Sequence, residues 1–184
     1  PIEYVAPPVG SGKSIPGPGI PVIAVPTTAG TGAEVSPAAI ITLPEEKLKV
    51  GISSIYQRPR LAIIDPTLTT TLPPKLTAST GIDALGHAIE AYTTRRYNKK
   101  PKPKSPANRP IYGGATPLTD LLASKAIELI ARYLRRAYSN GYDIEARNGM
   151  ALASLIAGIA FTNAGLGLAH AMSFPLSGRF NIPH

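Results

Sequence analysis

The chain contains three histidines, and their neighbours bear on what each can do. His87 follows Asp83 by four positions inside GIDALGHAIEAY, a spacing that puts a carboxylate and an imidazole on one face of a helix. Such a pair either holds a cation or makes an ordinary polar contact, and spacing alone leaves both open. His170 lies in LGLAHAM at the end of an apolar helical run, and His184 follows fourteen residues later, after a turn-bearing stretch with Pro175, Gly178 and Pro183. Both are flanked by apolar or small residues, where an imidazole needs a partner. One metal ion is a partner that would use all three rings together with Asp83. The chain has no cysteine, so thiolate ligation is excluded. A shell of three imidazoles and one carboxylate suits Fe²⁺ or Zn²⁺ and is too rich in nitrogen for Mg²⁺ or Ca²⁺. The alternative is a non-catalytic, metal-stabilised binding module whose ion has no open position.

The elements that must position these residues fall into two parts. Residues 1–20 are rich in Pro and Gly without a period and read as an irregular connector. Within them, GSGKS is similar to a phosphate loop, but Pro7 stands where the Walker pattern needs its first glycine, so that reading is set aside. The run PVIAV at residues 21–25 predicts a buried strand feeding the Thr- and Gly-bearing loop PTTAGTGAE. Strand-like runs follow at 38–42 and 61–64, separated by the charged, hairpin-like LPEEKLKVG. After Pro73-Pro74 apolar positions recur every three or four residues, which predicts helices over 80–92, 117–139 and 143–161. Their starts are expected at Ser79 or Thr80, at Thr116 with Pro117, and at Asp143. A domain boundary is expected near Leu72, giving units of 1–71 and 72–184.

Composition narrows the function classes. With 43% hydrophobic residues the chain can bury a core. Nineteen Lys and Arg against eleven Asp and Glu give a net charge of +8, but Arg95, Arg96, Lys99, Lys100, Lys102 and Lys104 cluster in a Pro-containing segment with one aromatic, Tyr97. That pattern reads as a solvated loop rather than a nucleic-acid surface. No uninterrupted apolar run reaches the ~18 residues of a spanning helix, since residues 151–164 are broken by Ser154, Gly158, Thr162 and Asn163. Neither nucleic acid nor membrane is expected as a partner. The absence of cysteine fits a reducing compartment, and the cytoplasm is the expected location. Pro1 at the start and the abrupt stop at His184 suggest further sequence at both ends.

Four ordered strings resemble the iron-containing (group III) alcohol dehydrogenases: PTTAGTGAEVS at 26–36, IDPTLTTTLPP at 64–74, GIDALGHAIEAY at 81–92 and NAGLGLAHAMSFPLSGRFNIPH at 163–184. The resemblance implies an α/β plus all-α, dehydroquinate synthase-like two-domain fold. This chain would hold the end of the dinucleotide-binding domain and the start of the helical metal domain, with the active site in the cleft between them. It implies metal ligation by Asp83, His87, His170 and His184. It also implies contacts from Thr27, Thr28, Thr31, Ser36 and Lys49 to NAD or NADP, where short hydroxyls and backbone N–H groups admit a pyrophosphate or ribose. Read alone, the threonines make an ordinary polar turn. The family's glycine-rich pyrophosphate motif would precede Pro1, so this piece by itself is expected to be inactive. The implied activity is hydride transfer between an alcohol and an aldehyde or ketone, with Fe²⁺ or Zn²⁺ polarising the oxygen. Partners would be a small alcohol, aldehyde or hydroxyacid, and a homo-oligomer is compatible.

One departure bears on the specific reaction. Many members of the family have a histidine where this chain has Phe174, and phenylalanine cannot relay a proton. Phe174 is therefore the substrate-pocket candidate, with core packing as its ordinary alternative. No other catalytic residue is assigned. The aromatic at 174, the insert over 95–114 and the EYVAPPVGSGK-like approach to the first strand are similar to the hydroxyacid-oxoacid transhydrogenase branch. A simple dehydrogenase is the leading expectation, and a transhydrogenase the alternative.

Overall fold

The computed structural model describes every residue except Pro1, Asn181 and Pro183, together with the side chain of Ala107. Helices dominate it: α1 Pro74–Thr93, α2 Pro117–Ser139, α3 Ile144–Ala164 and α4 Leu168–Phe180. The first three pack on one another around a core rich in alanine, with Ala84, Ala88, Ala91, Ala123, Ala126, Ala153, Ala157 and Ala160 all fully buried. Small side chains let the helix backbones approach closely, and Leu129, Ile130, Met150 and Phe161 fill the wider gaps. α3 is the one described helix long and apolar enough by composition to cross a membrane, its polar interruptions notwithstanding. Buried over 61% of that span, it is a core helix of the bundle.

Two helix starts match the sequence. Thr116 caps α2 through a reciprocal pair with Thr119, with Pro117 in the first turn, and the Asp143 carboxylate accepts from the Ala146 N–H at 3.0 Å to cap α3. α1 differs, beginning at Pro74 rather than at Ser79 or Thr80. Proline is suited to the first helical position, and the Ser79 and Thr80 hydroxyls instead donate back to the Leu76 carbonyl. The buried Arg147 holds this start in place. It donates to the Leu72 and Gly141 carbonyls and, at 2.8 Å, to the Thr77 hydroxyl, tying α1 to the α2–α3 turn.

The last helix also departs from expectation. α3 ends at Gly165, whose φ of +102° turns the chain, and α4 then continues through Pro175 and Gly178, where a turn-bearing stretch was expected. His170 thus sits in the first turn of a new helix, not at the end of the preceding one.

The β-rich part holds two small sheets. β1 Ile23–Ala24 pairs in parallel with β4 Leu61–Ala62, and β2 Ala38–Leu43 pairs antiparallel with β3 Leu48–Ser53. β1 and β4 are shorter than their apolar runs, and β1 is exposed rather than buried. With only each other as neighbours, the two strands have ladder bonds and packing over a short length. LPEEKLKVG proves to be a turn followed by a strand: Lys47 takes a positive φ of 52°, and Leu48 begins β3. α4 rests on β3, bringing the two parts of the chain together.

Candidate metal centre

Asp83 and His87 lie one turn apart on α1 and face α4, which brings His170, while His184 arrives after α4 ends. Asp83, His170 and His184 each offer a ligand atom, and these atoms lie within 4.8 Å of one another. His87 stacks between Phe161 and His170, with ring centroids 4.2 and 4.5 Å away, and its Nε2 is 3.8 Å from Asp83 Oδ1. His184 packs edge-on against His170 and flat against Phe174 at 5.2 Å. The structure therefore brings together all four residues singled out as ligands, with His87 slightly apart from the tightest group.

Hydrogen-bond partners fix which ring nitrogens face inward. His87 Nδ1 lies 3.3 Å from the Gly30 carbonyl, an acceptor only, so Nδ1 carries the proton. Its Nε2 is left with a lone pair toward Asp83. His170 Nδ1 lies 2.5 Å from Glu90 Oε2, and its buried Nε2 has no hydrogen-bond partner, standing 3.4 Å from Asp83 Oδ1. Two imidazole nitrogens thus converge on one carboxylate oxygen. When neither carries a proton there, three electron-rich atoms meet with nothing positive between them, and a divalent cation fits that gap.

The charges follow the same logic. Burial holds His87 down at about 4, against the pull of Asp83, so this ring is neutral at physiological pH. Burial also keeps His184 below its ordinary value. For His170 burial acts in the same direction, but the Asp83 and Glu90 carboxylates outweigh it and raise the ring above its ordinary range. Burial pushes the Asp83 carboxyl up, and the neighbouring imidazoles more than offset that, leaving it below the usual carboxylate range.

A cavity of about 290 Å³ opens beside the cluster, walled by Tyr112, Phe161, Leu166 and Phe174 on its apolar side and by Thr31 and Ser36 on its polar side. Of the residues expected to meet a cofactor, Thr31 and Ser36 reach this cavity. Their hydroxyls each accept a backbone N–H two residues on, from Ala33 and Ala38. Thr27 and Thr28 do not line it. Lys49 donates to Ser177 Oγ on α4 at 2.6 Å. The loop is pressed onto the bundle because two glycines leave room. A Cβ on Gly30 would stand 2.6 Å from the Thr80 carbonyl oxygen, and one on Gly32, whose φ is +60°, 2.8 Å from Gly158 Cα.

Two features escaped sequence reasoning. Glu90 reads as one more polar residue on α1, yet it is buried against the start of α4. Tyr112 belongs to the insert, which docks on the end of α3 through Gly113 and Gly114 N–H groups donating to Asn163 and Ala164 carbonyls at 2.7 and 3.0 Å. As a single acidic residue in an apolar helical run, Glu90 gives no sequence signal of its own. Tyr112 was detectable only as an aromatic near the insert's end.

Two family models match the chain: iron-containing alcohol dehydrogenase over residues 2–66, and the C-terminal part of the Fe-containing alcohol dehydrogenase family over 112–184. The chain belongs to the iron-containing alcohol dehydrogenase family, and its fold is that of the family. It is 46% identical to the mitochondrial hydroxyacid-oxoacid transhydrogenase of Xenopus tropicalis over 178 residues, covering 96% of this chain and 38% of that protein. With the Mus musculus counterpart it shares 45% over 192 residues, covering all of this chain and 41% of the relative. Among solved structures, a 1,3-propanediol oxidoreductase is 43% identical with a TM-score of 0.79, covering 92% of this chain and 40% of that one. Sulfoacetaldehyde reductase from Bifidobacterium kashiwanohense, in complex with NAD⁺, is 39% identical with a TM-score of 0.81, covering 99% and 43%. The chain therefore spans about two fifths of the curated relatives it matches. These relatives are named mitochondrial, which overturns the expected cytoplasmic location. Lack of cysteine shows only that no disulfide forms and does not separate one reducing compartment from another.

Proposed function

We propose that this chain carries the metal-binding side of a hydride-transfer site that exchanges hydride between a small hydroxyacid and an oxoacid through a nicotinamide. The observation that carries the reading is the convergence of His87 and His170 nitrogens on Asp83 Oδ1, with His184 alongside and a cavity open to the group. Asp83, His170 and His184 would hold the ion and His87 would complete the shell. Iron is the choice that the family supports, although the donors alone also suit zinc. A bound cation supplies Lewis acidity toward an alcohol or carbonyl oxygen.

The chain's own residues do the rest. Tyr112, Phe161, Leu166 and Phe174 keep water from the reacting carbon, and Thr31 and Ser36 border the side on which a nicotinamide would lie. The reductase in complex with NAD⁺ supports NAD as the cofactor. The cavity beside the cluster speaks against a closed, purely structural ion. Residues 72–184 then form the metal-binding domain and 1–71 the end of the nucleotide-binding one.

Transhydrogenation moves ahead of free alcohol oxidation for two reasons. The curated relatives carry that activity in their names, and Phe174, stacked on His184, has no proton to relay. The likeness to 1,3-propanediol oxidoreductase favours the simple dehydrogenase as the second reading. Kinetics of the full-length protein separate them. A transhydrogenase keeps its reduced cofactor and returns the hydride to the oxoacid, giving ping-pong kinetics with little free NADH. Accumulation of NADH from alcohol and NAD⁺ alone, with no gain on adding oxoacid, would select the dehydrogenase.

A further inference from the structure

The geometry assigns to Glu90 the role of positioning residue for His170: it fixes the ring's tautomer, so that Nε2 turns its lone pair toward Asp83, and anchors the helix on which that ring rides. The inference rests on the metal reading of Asp83, His170 and His184.

Glu90 is three residues beyond His87 on α1 and is buried, so its carboxylate must be satisfied by protein groups. Both oxygens are. Oε1 accepts the Ala169 N–H at 2.6 Å, so Glu90 caps the first turn of α4 from outside that helix. Oε2 lies 2.5 Å from His170 Nδ1. A carboxylate in this setting can only accept, so Nδ1 carries a proton, and in the neutral ring Nε2 is the free nitrogen. That nitrogen is the buried one without a hydrogen-bond partner. Gly167 makes the approach possible, since a Cβ there would stand 3.0 Å from Glu90 Oε1. One side chain therefore sets ring rotation, tautomer and helix position together. A partner of this kind on a metal-ligating histidine typically changes metal affinity by about 10- to 100-fold.

Glu90→Gln separates tautomer control from capping. The glutamine carbonyl can still accept from Ala169, which leaves its NH₂ facing His170 Nδ1. That NH₂ donates, so the ring must place its lone pair on Nδ1 and its proton on Nε2. In full-length, metal-free protein with the ring neutral, ¹⁵N NMR should find the His170 proton on Nδ1 in wild type and on Nε2 in Glu90→Gln. Competition with a chelator should show Fe²⁺ or Zn²⁺ bound about 10- to 100-fold more weakly by the variant, at a nearly unchanged melting temperature of the metal-free protein. Wild-type protein with the proton on Nε2 overturns the inference without recourse to any variant. So does a variant that binds metal as tightly as wild type. If the tautomer switches as described but wild type binds no metal, Glu90 still positions the ring, and the metal reading of the site is what fails.

Discussion

The helical bundle and the β-rich part are both apolar, yet they treat their apolar residues differently. In the bundle Ile130 is 2% exposed, whereas in the first strand Ile23 is 61% exposed and nearby Ile20 is 91% exposed. A helix makes its backbone bonds internally, so each segment of 20 to 23 residues in α1, α2 and α3 needs only a complementary face to bury. A parallel strand needs neighbours on both edges and cover on both faces. Among the described residues, which span about two fifths of the relatives' length, β1 has one neighbour, β4, for two residues. The site draws on both kinds of region: its ring-bearing helices are firmly packed, and the glycine-bearing loop lies against them through close backbone contact.

Ile→Ala in each region is the sharpest way to test this contrast. In the 184-residue chain Ile130→Ala should cost about 2–5 kcal/mol of unfolding free energy, from lost burial and the cavity left behind. Ile23→Ala should change it by less than about 0.5 kcal/mol. Urea unfolding measures both, and similar costs at the two positions would contradict the difference in packing.

A smaller effect is expected where the bundle is tied together by polar atoms. Arg147→Met removes donors to Leu72, Gly141 and Thr77 and should destabilise by about 2 kcal/mol, with the loss partly offset because a buried cation is removed as well. A variant as stable as wild type would show that hydrophobic contacts alone position the start of α1.

The positions of the α2 and α3 starts were legible because Thr116 and Asp143 satisfy backbone groups a few residues away. The start of α1 was misplaced because Pro74 at a first turn and hydroxyls within a turn give competing local signals. α4 was read as turn-bearing because Pro175 and Gly178 are poor helix formers, and packing on β3 overrides them. The convergence of Asp83, His87, His170 and His184 was suggested by residue type and family likeness. Glu90 was not legible, since its role depends on a contact between residues 80 positions apart.

Titration gives the most modest effect. In metal-free protein His87 should titrate near 4, against an ordinary value of about 6.5. The unfolded chain then binds more protons across that window, so the His87 contribution to stability is present above about pH 6.5 and is lost as pH falls toward 4. An NMR titration placing this ring above 6 would mean that it is not held in the buried, neutral state.

The central claim is that Asp83, His170 and His184, with His87 beside them, form one divalent metal site. Its most direct measurement is the metal content of full-length protein stripped by chelator and then reconstituted with Fe²⁺ or Zn²⁺. The account predicts close to one equivalent bound per chain, and little binding after Asp83→Ala or His170→Ala in protein that remains folded. Less than roughly one tenth of an equivalent in wild type, or unchanged binding in both variants, would contradict it.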